Sequence, residues 1–149
     1  MKRKKVLAIA SVGGHWIELL RLMQLFNEFD TTFVSTNQSC KEMVLGNNFY
    51  YVTDFNRWNK MKMVNTIFQM LRIIIKERPN IVVSTGAAPG LIGLLLGKIF
   101  GAKTVWIDSI ANVEELSMSG RIASKFVNYT YVQWPDLAGG KLLYKGNVL

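Results

Sequence analysis

The sequence predicts an α/β chain with a doubly wound, mainly parallel sheet of about six strands, and two observations carry that reading. Short apolar runs alternate almost throughout with stretches of helical spacing, and the connections between them are short. With 149 residues, half of them hydrophobic and 19% charged, the chain suits one domain over 1–149, burying roughly 70% of its unfolded surface. No internal repeat or low-complexity segment interrupts the alternation.

Residues 5–10 (KVLAIA) suit a strand buried on both faces, and 11–14 a turn. Residues 15–29 have helical spacing at Trp16, Leu19, Leu20, Met23 and Phe26, and 31–35 (TTFVS) form the second strand. A short helix is expected over 39–45 and a third strand over 50–52. A long helix follows over 61–76, with Met63, Ile67, Met70, Leu71 and Ile74 on one side. Residues 80–84 (NIVVS) are the fourth strand, 85–89 a loop and 90–100 a helix, with Pro89 near the helix start. The fifth strand is 103–107 (KTVWI). Glu114 and Glu115 read as a solvated first turn of helix, 120–127 as a helix, and 129–133 (YTYVQ) as a sixth strand.

Right-handed crossovers place every strand-to-helix loop along one edge of such a sheet, and ligands bind there. Three loops are therefore candidates. The first, SVGGH, puts Gly13 and Gly14 at a strand-to-helix turn, where backbone N–H groups can approach an anion, and ends in His15, the one histidine of the chain. Its spacing is neither the dinucleotide fingerprint nor a P-loop. The second, STGAAPG, begins at Ser84 and includes Thr85 and Gly86. The third places Asp108 at the carboxyl end of the fifth strand, a position suited to activating a hydroxyl.

The net charge is +8, and its placement is uneven. Lys2, Arg3, Lys4 and Lys5 contribute +4, residues 57–78 contribute +5, and the remainder is −1. An anionic neighbour is expected: a phosphate-bearing ligand, an acidic lipid surface or nucleic acid. In 57–78 the bases adjoin Trp58, Met61, Ile67, Phe68 and Ile75, a pattern that fits either an anionic membrane surface or a core helix with snorkelling lysines. The basic start followed by an apolar run imitates a signal peptide, but Gly13-Gly14-His15 breaks it and no small-residue cleavage site follows. The charge-free window 79–97 is interrupted by Ser84, Gly86 and Pro89, so no transmembrane helix is expected. The single Cys40 excludes an intramolecular disulfide, no zinc-ligand cluster is present, and a reducing, cytoplasmic setting is expected.

The SVGGH loop, the run from Ser84 to Ala138 and the ending YKGNVL together resemble the acceptor-side half of glycosyltransferases built from two Rossmann-like domains, the B-type fold. The likeness is to the membrane-anchoring subunit of the two-chain N-acetylglucosaminyltransferase of dolichol-linked oligosaccharide assembly and to bacterial capsular and exopolysaccharide counterparts. A more distant likeness is to the acceptor domain of the lipid II-forming transferase. The resemblance implies a subunit that binds a polyprenyl-diphosphate-linked acceptor and an anionic membrane, peripheral on the inner face of the cell membrane. The UDP-sugar would sit on a separate catalytic partner chain, to which the tail 139–149 would dock.

It further implies acceptor or diphosphate contacts from Ser11, Gly13, Gly14, His15, Thr85 and Gly86, and catalytic roles for His15 and Asp108. Arg57, Trp58, Lys60, Lys62, Arg72 and Lys76 would carry membrane association, in place of an N-terminal anchor. No metal, cofactor or nucleic acid is implied. The rival readings are a non-catalytic enhancer of the partner and a stand-alone nucleotide-binding domain. The second of these would need an acid at the end of strand two, where Ser35-Thr36-Asn37 stands. A nucleic-acid binder is the third, without a recognisable motif.

Overall fold

A computed structural model describes residues 1–148. Seven strands form one sheet: β1 (Lys5–Ala10), β2 (Asp30–Ser35), β3 (Asn48–Tyr51), β4 (Ile81–Gly86), β5 (Lys103–Ile107), β6 (Tyr129–Val132) and β7 (Leu142–Tyr144). Their order is β3-β2-β1-β4-β5-β6-β7 and every pairing is parallel. The expected Rossmann-like α/β architecture is the one observed, with one strand more than the six expected. β7 is only three residues long and follows Gly139-Gly140, too short a run to read as a strand.

Helices cover both faces. On one, α3 (Lys60–Glu77), α4 (Ala88–Ile99) and α5 (Met118–Ala123) bury Met70, Ile73, Ile74, Leu94 and Ala123 against Leu7, Ile9, Val34, Val82 and Trp106. On the other, α1 (Gly14–Leu20) and α2 (Met23–Phe26), with a 3-10 turn at Gln38–Val44, bury Trp16, Leu19, Phe26, Cys40 and Val44 against Val6, Ala8 and Phe33. Three aromatic pairs, Trp16–Phe33, Trp16–Phe49 and Phe26–Phe33, pack edge to face there. α4 lies close to the sheet because Gly90, Gly93 and Gly97 face Ser84, Ile9 and Val82, where a Cβ would collide.

The helix expected over 15–29 is two helices. At the break the ladder tightens to an i to i−3 bond from the Leu22 N–H to the Leu19 carbonyl, and no glycine or proline marks the spot. Glu114 and Glu115 do not open a helix; they lie in the loop before α5, whose N-cap is Ser117. No helix among the described residues is long and apolar enough to cross a membrane. The sequence order reverses on either side of β1, so the crevice between the ends of β1 and β4 is the switch point at which ligands bind in such sheets.

Candidate functional site

At that switch point the three loops are tied into one assembly. β1 and β4 pair Ile9 with Ser84 and then Ala10 with Gly86, so Thr85 is an extra residue in the ladder, a bulge of the kind that re-aims a side chain. The Thr85 hydroxyl donates to the His15 carbonyl at 2.6 Å, and the Thr85 carbonyl lies 3.1 Å from His15 Nδ1. A carbonyl only accepts, so Nδ1 carries the hydrogen, and in the neutral ring the lone pair is on Nε2. The ring is half-buried, and a Cβ on Gly86 would collide with its Nδ1 and Cε1.

Gly13 caps α1 at φ 100°, a conformation that requires glycine, and both Gly13 and Gly14 are exposed with no atom within 4 Å of where a Cβ would sit. Open space lies above that turn. Ser11 and Thr85 are buried beneath it. The connection from β4 to α4 is shorter than the expected loop, because the helix begins at Ala88. Ala87, its N-cap, holds φ 71° and ψ 169°, a region that side chains avoid.

Asp108 directly follows β5, at the strand's carboxyl end as expected, but with a different task. At 1% exposure, its Oδ1 accepts from Trp106 Nε1 (2.9 Å) and Ser117 Oγ (2.6 Å), and its Oδ2 from Asn112 Nδ2 (3.1 Å) and the Ser117 N–H (3.0 Å). Four donors fill the lone-pair directions of a carboxylate, so the group organises the loop before α5 and has no direction left for an external hydroxyl. Gly120 of α5 sits directly against Oδ1, where a Cβ would collide.

Sequence reasoning missed Glu18. It lies one helical turn beyond His15 on the same side of α1 and is 5% exposed. Its Oε1 accepts from Ser109 Oγ at 2.8 Å and from the Ile110 N–H at 3.1 Å, joining α1 to the loop after β5. A carboxylate three residues after the lone histidine, between the apolar Ile17 and Leu19, was the available signal.

The basic segment is assembled differently. α3 turns Thr66, Met70, Ile73 and Ile74 into the protein and leaves Met61, Val64, Phe68 and Ile75 exposed on the opposite side, at helical spacing. Trp58 is 81% exposed, with the Arg57 guanidinium 5.1 Å from its ring centroid. Lys60, Lys62, Arg72 and Lys76 are all exposed, and the last lies 5.3 Å from the Tyr50 ring. Hydrogen bonding to Tyr50 raises the Lys76 pKa, which keeps the ammonium charged. α3 is about 27 Å long, so Arg57 to Lys62 lie at the edge that carries His15, while Lys76 lies at the other. The ion pair of Arg121 with Glu115 is the one within 4.0 Å among the described residues, so none of these bases is neutralised by a neighbour there.

In the tail, β7 forms the edge of the sheet, and the Val148 N–H reaches back to Gln133 Oε1 at 2.8 Å while its carbonyl accepts from Arg21. No cluster of three or more metal-ligating side chains occurs among the described residues.

Residues 51–147, which contain the Thr85 bulge, Asp108 and α3, match the family described as "Oligosaccharide biosynthesis protein Alg14 like". The chain belongs to that family. The human protein named UDP-N-acetylglucosamine transferase subunit ALG14 is 29% identical over 178 aligned residues, spanning 97% of this chain and 82% of its own length. Among solved structures, MurG from Acinetobacter baumannii superposes with a TM-score of 0.79 at 15% identity over 97% of this chain. A UDP-N-acetylglucosamine 2-epimerase from Rickettsia bellii gives 0.77 at 12% over 98%. At such identities these two likenesses show the fold alone. The Alg14-like chain spans about half the length of each, 46% and 45%.

Proposed function

We propose that this chain is the acceptor-binding, membrane-recruiting subunit of a two-chain glycosyltransferase. A separate partner chain binds the UDP-sugar, UDP-N-acetylglucosamine by the name of the human relative. The acceptor is a polyprenyl-diphosphate-linked saccharide of capsular or exopolysaccharide assembly, and the protein works at the inner face of the cell membrane. The observation that carries the reading is the His15–Thr85 clasp at the switch point, which presents an imidazole beside an open glycine turn.

In this reading Gly13, Gly14 and the start of α4, with Ser11, Thr85 and Gly86 shaping the floor, receive the acceptor diphosphate. His15 Nε2 accepts the proton of the attacking acceptor hydroxyl as its oxygen bonds to the sugar's anomeric carbon, and the nucleotide diphosphate leaves with inversion. The partner's groups stabilise that leaving group. α3 lies along the bilayer with its outer apolar row in the lipid interface and Arg57, Lys60, Lys62, Arg72 and Lys76 against anionic headgroups, Trp58 anchoring the end near the site. The tail 139–149 faces the partner.

The saturation of Asp108 favours a second reading, in which this chain anchors and enhances a partner that holds the whole catalytic apparatus. A transfer assay separates the two. Labelled UDP-sugars and the lipid-linked acceptor are given in membranes to this chain, to its partner and to both. Product from the pair alone supports the split site; equal product from the partner alone leaves an anchor; product from this chain alone overturns both readings.

A further inference from the structure

Glu18 is more than the loop after β5 requires. That loop is already held: Asp108 is fixed by its four donors, and the Ile110 carbonyl accepts from Trp134 Nε1 at 2.7 Å. The two bonds that Glu18 makes, from Ser109 Oγ and the Ile110 N–H, both end on Oε1, and a neutral glutamine would accept them equally well. The other oxygen, Oε2, is buried and has no hydrogen-bond partner among the described residues. In either protonation state, that leaves a costly polar group unsatisfied in the fold.

Its place explains the cost. Glu18 stands one turn from His15 on the same side of α1, under Ser109 and Ile110, which are only half-buried and close the space between α1 and the end of β5. The terminal torsion of a glutamate side chain is broad, so a partial turn of the carboxyl group, short of breaking the two bonds on Oε1, shifts its free oxygen.

We propose that Glu18 is a binding residue for the acceptor saccharide, its Oε2 accepting a hydrogen bond from a sugar hydroxyl near the one that attacks. The proposal rests on the two-chain glycosyltransferase reading and adds a hydroxyl-specific group to a site otherwise suited to a diphosphate.

The test is Glu18→Gln, which preserves shape and the bonds to Ser109 and Ile110 but sets an amide donor where the sugar hydroxyl would donate. In the assembled pair, with acceptor titrated at saturating UDP-sugar, the acceptor KM is expected to rise roughly ten-fold or more, with pairing and thermal stability retained. Kinetics within two-fold of the wild type would overturn the proposal. Ser109→Ala weakens the tie to the loop while sparing the carboxyl group, so it is expected to change the acceptor KM only slightly. Equal losses in the two variants, or a Glu18→Gln chain that does not fold, would make Glu18 a strut and also overturn the proposal.

A second arm does not depend on the partner. Backbone amide NMR of the chain alone, titrated with N-acetylglucosamine 1-phosphate and glucose 1-phosphate as lipid-free probes, is expected to move the Ile110 amide in the wild type and not in Glu18→Gln. No such movement for either probe would refute the Glu18 assignment whatever the pair does. Ile110 movement with no transfer from the pair would refute the two-chain reading alone.

Discussion

The ends of β4 and β5 lie side by side at the same edge of the sheet, and each carries a buried polar cluster, but the two are finished to different degrees. Around Asp108 every oxygen direction is met from within the chain, by Trp106, Asn112 and Ser117. Around Thr85 the bonds to His15 use Nδ1 and leave Nε2 over, and one turn along α1 from His15, Glu18 keeps one oxygen unmatched while the other is tied to the loop after β5. A closed network holds a loop in shape; an incomplete one on the same rigid frame is where a ligand can finish the pattern. α3 repeats the contrast in apolar terms, with Met70 and Ile74 buried on one side and Met61 and Phe68 facing outward on the other.

The contrast can be attacked at four points. Asp108→Ala strips four donors of their acceptor, and we expect a loss of about 3 kcal/mol or more in chemical denaturation, enough to threaten folding. A variant with wild-type stability would show that the closed cluster is not structural.

His15→Asn keeps an amide N–H in the place of Nδ1 for the Thr85 carbonyl but removes the Nε2 lone pair. Unfolding should barely change while transfer by the pair falls about 100-fold, the lower range for losing a general base. Transfer within two-fold of wild type would move the chemistry wholly to the partner.

Gly86→Ala forces a methyl group into the His15 ring, so a folded chain with a displaced imidazole and roughly ten-fold slower transfer is expected. Unaltered turnover would mean that the ring's exact place is immaterial.

The smallest effect concerns the outer row of α3. Phe68, 59% exposed, changed to Asp should weaken binding to vesicles containing anionic lipid several-fold, and Lys62→Gln by a smaller, salt-sensitive factor, neither altering the melting temperature much. Vesicle binding that ignores both substitutions would return that row to ordinary surface.

Much of the frame was legible because its cause is local. β1, β4 and β5 are apolar runs bounded by turn residues, and α3 keeps its period for five turns. The placing of His15 and Asp108 at the sheet's edge followed from the alternation alone. What each does there did not, because it depends on partners distant in sequence: Thr85 is 70 residues from His15 and Ser109 is 91 from Glu18. Of the donors to Asp108, Asn112 and Ser117 reach it only because the chain coils into a loop, where Glu114 and Glu115 had suggested helix. β7 escaped notice because three residues cannot display a period, and the split between α1 and α2 left no mark in residue type.

Ala87 carries a trade-off between durability and speed in a single methyl group. Its backbone angles belong to glycine, and holding a side chain there costs on the order of 1–3 kcal/mol. Ala87→Gly should therefore relieve the strain while admitting other conformations to the link between Gly86 and α4. The expected signature is a chain that melts higher and turns over more slowly, read by calorimetry beside the paired assay. A laboratory selection for heat resistance would find that exchange early, and a selection for product would reverse it.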